Sequence, residues 1–139
     1  MKVNLVLILG FLLFTFQLSA QNAAQAESLF NNKKYREAAK AYEVLLIRRP
    51  NDQLLNYRYG RCLLELKIFD KAVEHLKKAG NKYPAKDFYL AEAFYRNYDF
   101  AAAFNLLKDY SSTIDSTDVN FKEVQKKLPV MELTARLIN

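Results

Sequence analysis

One interval organises this chain. Tyr35, Ala38 and Tyr42 recur 34 residues later as Phe69, Ala72 and Leu76, and Pro50 recurs at the same interval as Pro84. A third copy, Phe100, Ala103 and Leu107, follows the second by 31 residues, and Gly60 maps onto Ala91 at that offset. An aromatic, a small and a large residue at helical spacing, repeated at this period, constrain the chain to stacked helical hairpins, because one such unit cannot bury its apolar side alone. Pro50 precedes Gly60 by ten residues and Pro84 precedes Ala91 by seven, so the three missing residues fall in a turn or the first turn of a helix.

The pattern resembles the tetratricopeptide repeat, whose 34-residue helix–turn–helix has a small residue in its first helix, Ala-x3-aromatic in its second and a closing proline. Ala38-x3-Tyr42 leads to Pro50 and Ala72-x3-Leu76 to Pro84, whereas Ala103-x3-Leu107 meets Asp115 at the proline's place. Ala26, Gly60 and Ala91 stand where the paired helices must approach closely. The resemblance implies an all-α superhelix of three repeats, about residues 21–52, 53–86 and 87–117. Helices of about 12 to 15 residues are marginal alone in water, so stacking must supply their stability. Asp115 to Asp118 reads as a polar linker with an N-capping residue, and 118–139 as a capping helical segment that Pro129 should kink or split.

The chain begins with Met1 and Lys2, an apolar run from Val3 to Phe16, then Ser19 and Ala20. The run is shorter than the ~20 residues of a spanning helix, so residues 1–20 read as a cleavable signal peptide, with no transmembrane span after cleavage. The protein is then expected to be exported, to the periplasm. Composition removes several chemistries. Three scattered glycines cannot write a phosphate-binding loop, and one cysteine with one histidine leave no zinc cluster or disulfide framework. Basic doublets such as Arg48–Arg49 and Lys77–Lys78 fall near helix ends, where cations oppose the macrodipole, and no nucleic-acid surface is expected.

A narrower resemblance rests on Leu29, Phe30, Tyr35, Glu37 and Ala38, on Pro50 to Asp52, on Asn56 to Gly60, on Phe88 to Ala93, and on Asn97 to Phe100. These look like the N-terminal modules of Bacteroidetes PD40/OmpA-family outer-membrane-associated proteins, some of which belong to type IX secretion machinery. That resemblance implies a periplasmic protein–protein scaffold associated with outer-membrane or cell-wall complexes. The rival from another class is an exported hydrolase or glycan-binding protein on the same scaffold.

No enzyme, metal or cofactor is expected. Cys62 reads as a buried thiol, and His75 lacks a serine, cysteine or acidic partner at a motif spacing. The resemblance places a concave groove along the first helices, lined by Glu27, Phe30 and Asn31, by Tyr57, Arg61 and Glu65, and by Phe88, Glu92, Tyr95 and Arg96. Tyrosine and arginine combine large contact area with directed donors, which suits anchors for a protein or peptide partner. The competing reading makes these ordinary residues of amphipathic surfaces.

Overall fold

A computed structural model describes residues 22–83 and 85–138. The expected signal peptide and Pro84 lie outside the described residues. Within them the chain is all-α. Helix α1 covers residues 22–31, and then come α2 (Tyr35–Arg48), α3 (Gln53–Glu65), α4 (Phe69–Lys78), α5 (Lys86–Arg96), α6 (Phe100–Ser111) and α7 (Phe121–Ile138). Successive helices pack as helix–turn–helix pairs, most extensively α3 on α4 and α5 on α6, and α3 also touches α5.

Apolar spacing sets the buried faces. On α2 the residues Ala38, Ala39, Tyr42, Leu45 and Leu46 are buried, a stripe at three- and four-residue steps. Gly60 explains the closeness of α3 and α4. A Cβ there would stand 2.8 Å from Leu76 Cγ and 3.1 Å from its backbone nitrogen. Ala26 and Ala91, the other predicted small positions, are also fully buried.

The turns repeat as faithfully as the helices. Lys33, Lys67 and Tyr98 each adopt a left-handed conformation, with φ of 58°, 63° and 64°. In each case the following amide reaches back to a carbonyl five residues earlier: Lys34 N–H to Leu29, Ile68 N–H to Leu63, and Asp99 N–H to Phe94, at 2.9, 2.9 and 3.0 Å. This is the Schellman arrangement, which usually recruits glycine because other residues are strained there. Its three occurrences follow the 34- and 31-residue intervals of the sequence.

The shortened interval is taken largely from a helix. α5 has 11 residues against 13 in α3. Asp52 caps α3 by accepting from the Leu55 amide at 3.1 Å, whereas Ala85 at the corresponding end of α5 offers no side-chain cap. Two apolar clusters result. One joins α1 to α4 with Leu90 and Ala93 of α5, and the other joins Phe88 and Ala91 of α5 to Ala103, Leu107 and Tyr110 of α6 and Val124 and Met131 of α7.

α7 is one helix through Pro129, so of the kink or split expected there the split does not occur. Proline removes one amide donor, but Pro129 and Gln125 are both exposed, so water can serve the carbonyl left unpaired. Asp115 and Asp118 organise the preceding linker by accepting from the amides of Thr117 at 2.8 Å and Asn120 at 2.7 Å.

Candidate functional site

A groove of about 890 Å³ opens between the C-terminal part of α3, the face of α5 and the near side of α7. Five of the residues expected on the binding surface line it: Glu65, Phe88, Glu92, Tyr95 and Arg96. The other five divide differently.

Glu27 is not a free groove carboxylate. It accepts from the Tyr42 hydroxyl at 2.9 Å and is ion-paired with Arg58 of α3, which ties α1 to both following helices. Phe30 is buried, with the Arg58 guanidinium 4.6 Å and the Arg61 guanidinium 5.1 Å from its ring centre. Tyr57 is also buried and stacks on Tyr83 at 4.9 Å, nearly parallel. Glu27, Phe30 and Tyr57 are therefore packing residues. Asn31 is exposed at the end of α1. Arg61 is half-buried, 3.9 Å above the centre of the Tyr89 ring.

Electrostatics distinguishes the cations. Glu92, whose side chain is only 14% exposed, holds Arg96 at 3.0 Å and Lys127 of α7 at 2.8 Å. Burial alone would raise its carboxyl pKa, but the hydrogen bonds from Lys127 and Arg96 more than offset burial and hold it below the ordinary glutamate range. Tyr95 shares a 3.4 Å hydrogen bond with Thr134, a second link to α7.

Several lining residues carried no legible mark. Lys67 and Tyr98 border the groove because they are the left-handed turn residues, and nothing in their chemistry announces that conformation. Tyr89, Phe69 and Phe100 add aromatic wall. The intervals of 34 and 31 that relate Lys67 and Tyr98 to Lys33 were the one available signal. Glu123, Lys127 and Thr134 come from α7, outside the repeating pattern.

The arrangement suits recognition rather than catalysis. Among the described residues, no group of three or more histidine, cysteine, aspartate or glutamate side chains could hold a metal ion. Burial pushes the Cys62 thiol up to about 12, which leaves it protonated and unreactive. His75 faces the seam between α3 and α4, its Nδ1 at 2.8 Å from Asn56 Oδ1 and its ring edge-on to Tyr59. Because the Asn56 amide donates to the carbonyls of Pro50 and Asp52, its oxygen must accept, so Nδ1 of His75 carries the proton. No helix among the described residues is long and apolar enough to cross a membrane.

Comparison with known proteins agrees with this architecture. A tetratricopeptide-repeat family model matches residues 23–86, and no curated protein matches the sequence. The structure is similar to the type III secretion translocator chaperone SycD of Yersinia enterocolitica, with 20% identity, a TM-score of 0.72, and coverage of 84% of this chain and 85% of SycD. SycD in complex with a peptide of the translocator YopD is similar at 22% identity and a TM-score of 0.67, over 84% of this chain and 93% of that one. The TPR2B domain of yeast Sti1, in its complex with pHsp70, is similar at 19% identity and a TM-score of 0.61, over 87% of this chain and 98% of that one. These matches overturn three expectations. The similarity runs to translocator chaperones and not to PD40/OmpA-family envelope modules, and the periplasmic, outer-membrane-associated placement is withdrawn with that kinship. The exported hydrolase or glycan-binding alternative falls too, since the similarity runs to chaperones and peptide-complexed domains.

Proposed function

We propose that this chain is a peptide-binding module of tetratricopeptide type, built from three repeats and closed by α7, that holds a segment of a partner protein in the groove between α3, α5 and α7. The observation that carries the reading is the groove itself: it is large enough for several side chains, walled by Phe88, Tyr89, Tyr95, Tyr98 and Phe100, and edged by charged residues of both signs. Aromatic walls supply contact area at small entropic cost, and polar rims fix register. The peptide complexes of SycD and Sti1 support the same use of a similar fold.

The test compares Tyr95→Ala and Tyr98→Ala with Lys78→Ala, a substitution on exposed α4 surface away from the groove. Partners are recovered by crosslinking in intact cells, and binding is then measured on folded variants. Loss of a central aromatic anchor is expected to weaken binding by at least about tenfold, with Lys78→Ala unchanged. Wild-type affinity in both groove variants would refute the assignment.

A further inference from the structure

We propose that Arg61 is the anchor for one acidic side chain of the bound segment, and that this segment carries a large apolar residue two positions from the acid. The inference rests on the groove reading and specifies the chemistry of its ligand.

The cations near the groove are not equivalent. Arg58 is engaged by Glu27, Arg96 and Lys127 share Glu92, and Lys67, although on the groove wall, is an exposed turn ammonium without the planar fork that pairs with both oxygens of a carboxylate. Arg61 has no carboxylate within ion-pair distance among the described residues. Its guanidinium is instead held against aromatic rings, 3.9 Å from the centre of Tyr89 and 5.1 Å from that of Phe30. The two rings fix where the guanidinium sits, and with no carboxylate on it among the described residues, N–H groups are left for a ligand. A planar carboxylate matches those groups in two parallel hydrogen bonds, and the half-buried setting strengthens them relative to open water. One helical turn on, Glu65 lines the groove and disfavours a second acid nearby.

Tyr89 also sets the spacing. It carries Arg61 on its ring, and that ring borders the groove beside Phe88 and Tyr95. An acid at Arg61 and an apolar side chain in the groove are therefore held on either side of one residue's contacts, and residues i and i+2, roughly 7 Å apart on one side of an extended chain, are the nearest pair that can serve both.

Random peptides displayed through their C-termini, and so without a free terminal carboxylate, would be selected on the full chain. Expected winners carry Asp or Glu two positions from Phe, Tyr, Leu or Met. For a winning sequence made as a C-terminally amidated synthetic peptide, changing the acid to its amide should weaken binding to the wild-type chain by about ten- to thirtyfold. Arg61→Gln should produce the same loss, no further loss should follow from combining the two changes, and Lys78→Gln should leave affinity unchanged. An amide peptide that binds as well as the acid overturns the proposal, as does an Arg61→Gln chain that still distinguishes them. Selection of acids only at a free C-terminus, in a parallel library that exposes it, would assign the ligand to a chain terminus and overturn the side-chain reading. Should Arg61→Gln fail to fold, Arg61→Lys takes its place, and an Arg61→Lys chain that holds the acid peptide as tightly as wild type overturns the proposal. Winners that bind Tyr98→Ala and wild type equally would overturn the groove itself, whereas loss of acid dependence with Tyr98 still required overturns only the Arg61 anchor.

Discussion

Lys67 shows how much of this fold is decided by single residues that look ordinary. Its left-handed backbone closes the turn between α3 and α4, and a side chain in that conformation costs on the order of 1 kcal/mol. Lys67→Gly should therefore raise stability by up to about 1 kcal/mol, less the larger entropy glycine loses on folding. A higher urea midpoint with an unchanged slope would verify this. Gly60 has the opposite requirement. With Leu76 Cγ 2.8 Å from the position a Cβ would take, Gly60→Ala must push α4 outward and should cost about 1 to 3 kcal/mol. Denaturant titration would show it, and a neutral result would mean that α3 and α4 can separate freely. At His75 burial lowers the imidazole pKa. The unfolded chain then binds the proton more tightly, so this group's contribution is complete above about pH 6.5 and is lost as pH falls below it. Substitution by a neutral residue should remove that part of the acid dependence.

Among the elements, α7 does most that the repeat pattern does not foretell. It buries Val124 and Met131 against α6 and α5, and it reaches across to Glu92 and Tyr95. Removing residues 121–139 should lower the melting temperature and promote association, since exposing even ~150 Å² of apolar surface at ~25 cal/mol per Å² removes several kcal/mol. Monomeric, equally stable truncated protein would contradict this. The Lys127–Glu92 pair gives a finer handle. Because the Glu92 pKa is held below its usual value, the stability it supplies is complete above the ordinary glutamate range and is lost as pH falls through the depressed native value. Glu92→Gln should cost about 1 to 3 kcal/mol at neutral pH and flatten the melting temperature's decline below pH 4.5. An unchanged acid profile would show that the pair does not hold α7.

For the molecule as a whole, the period made the helix pairs readable because Ala38, Ala72 and Ala103 and their aromatic or leucine partners carry the packing directly. The small positions were readable for the same reason. The candidate groove was only half readable. Position along a first helix foretold which side Phe88, Glu92, Tyr95 and Arg96 would face, but not that Glu27 would be taken by Arg58 and Tyr42, or that Phe30 and Tyr57 would sink into the interior. Those outcomes depend on pairings between residues 15 to 31 positions apart. The walls from α7 were invisible, since a helix outside the repeat register gives no positional rule. The narrower kinship was misread for a different reason: apolar periodicity and aromatic dipeptides are shared by many stacked-helix proteins and do not distinguish envelope modules from chaperones.

The double allegiance of α5 has a mechanical meaning. Leu90 and Ala93 belong to the apolar cluster of the earlier helices while Phe88 and Ala91 belong to that of the later ones, so one helix, with Leu106 of α6 lying against both, pins two adhesive patches together. Stretched between its ends in an optical trap, the molecule should give way in two ruptures rather than one. The first would unravel the segment beyond Asp99, with an extension of about 130 Å for its nearly forty residues, and leave α1 to α5 able to bear load. A partner lodged against α5 and α7 would brace that junction, and the force of the first rupture should rise when the groove is filled.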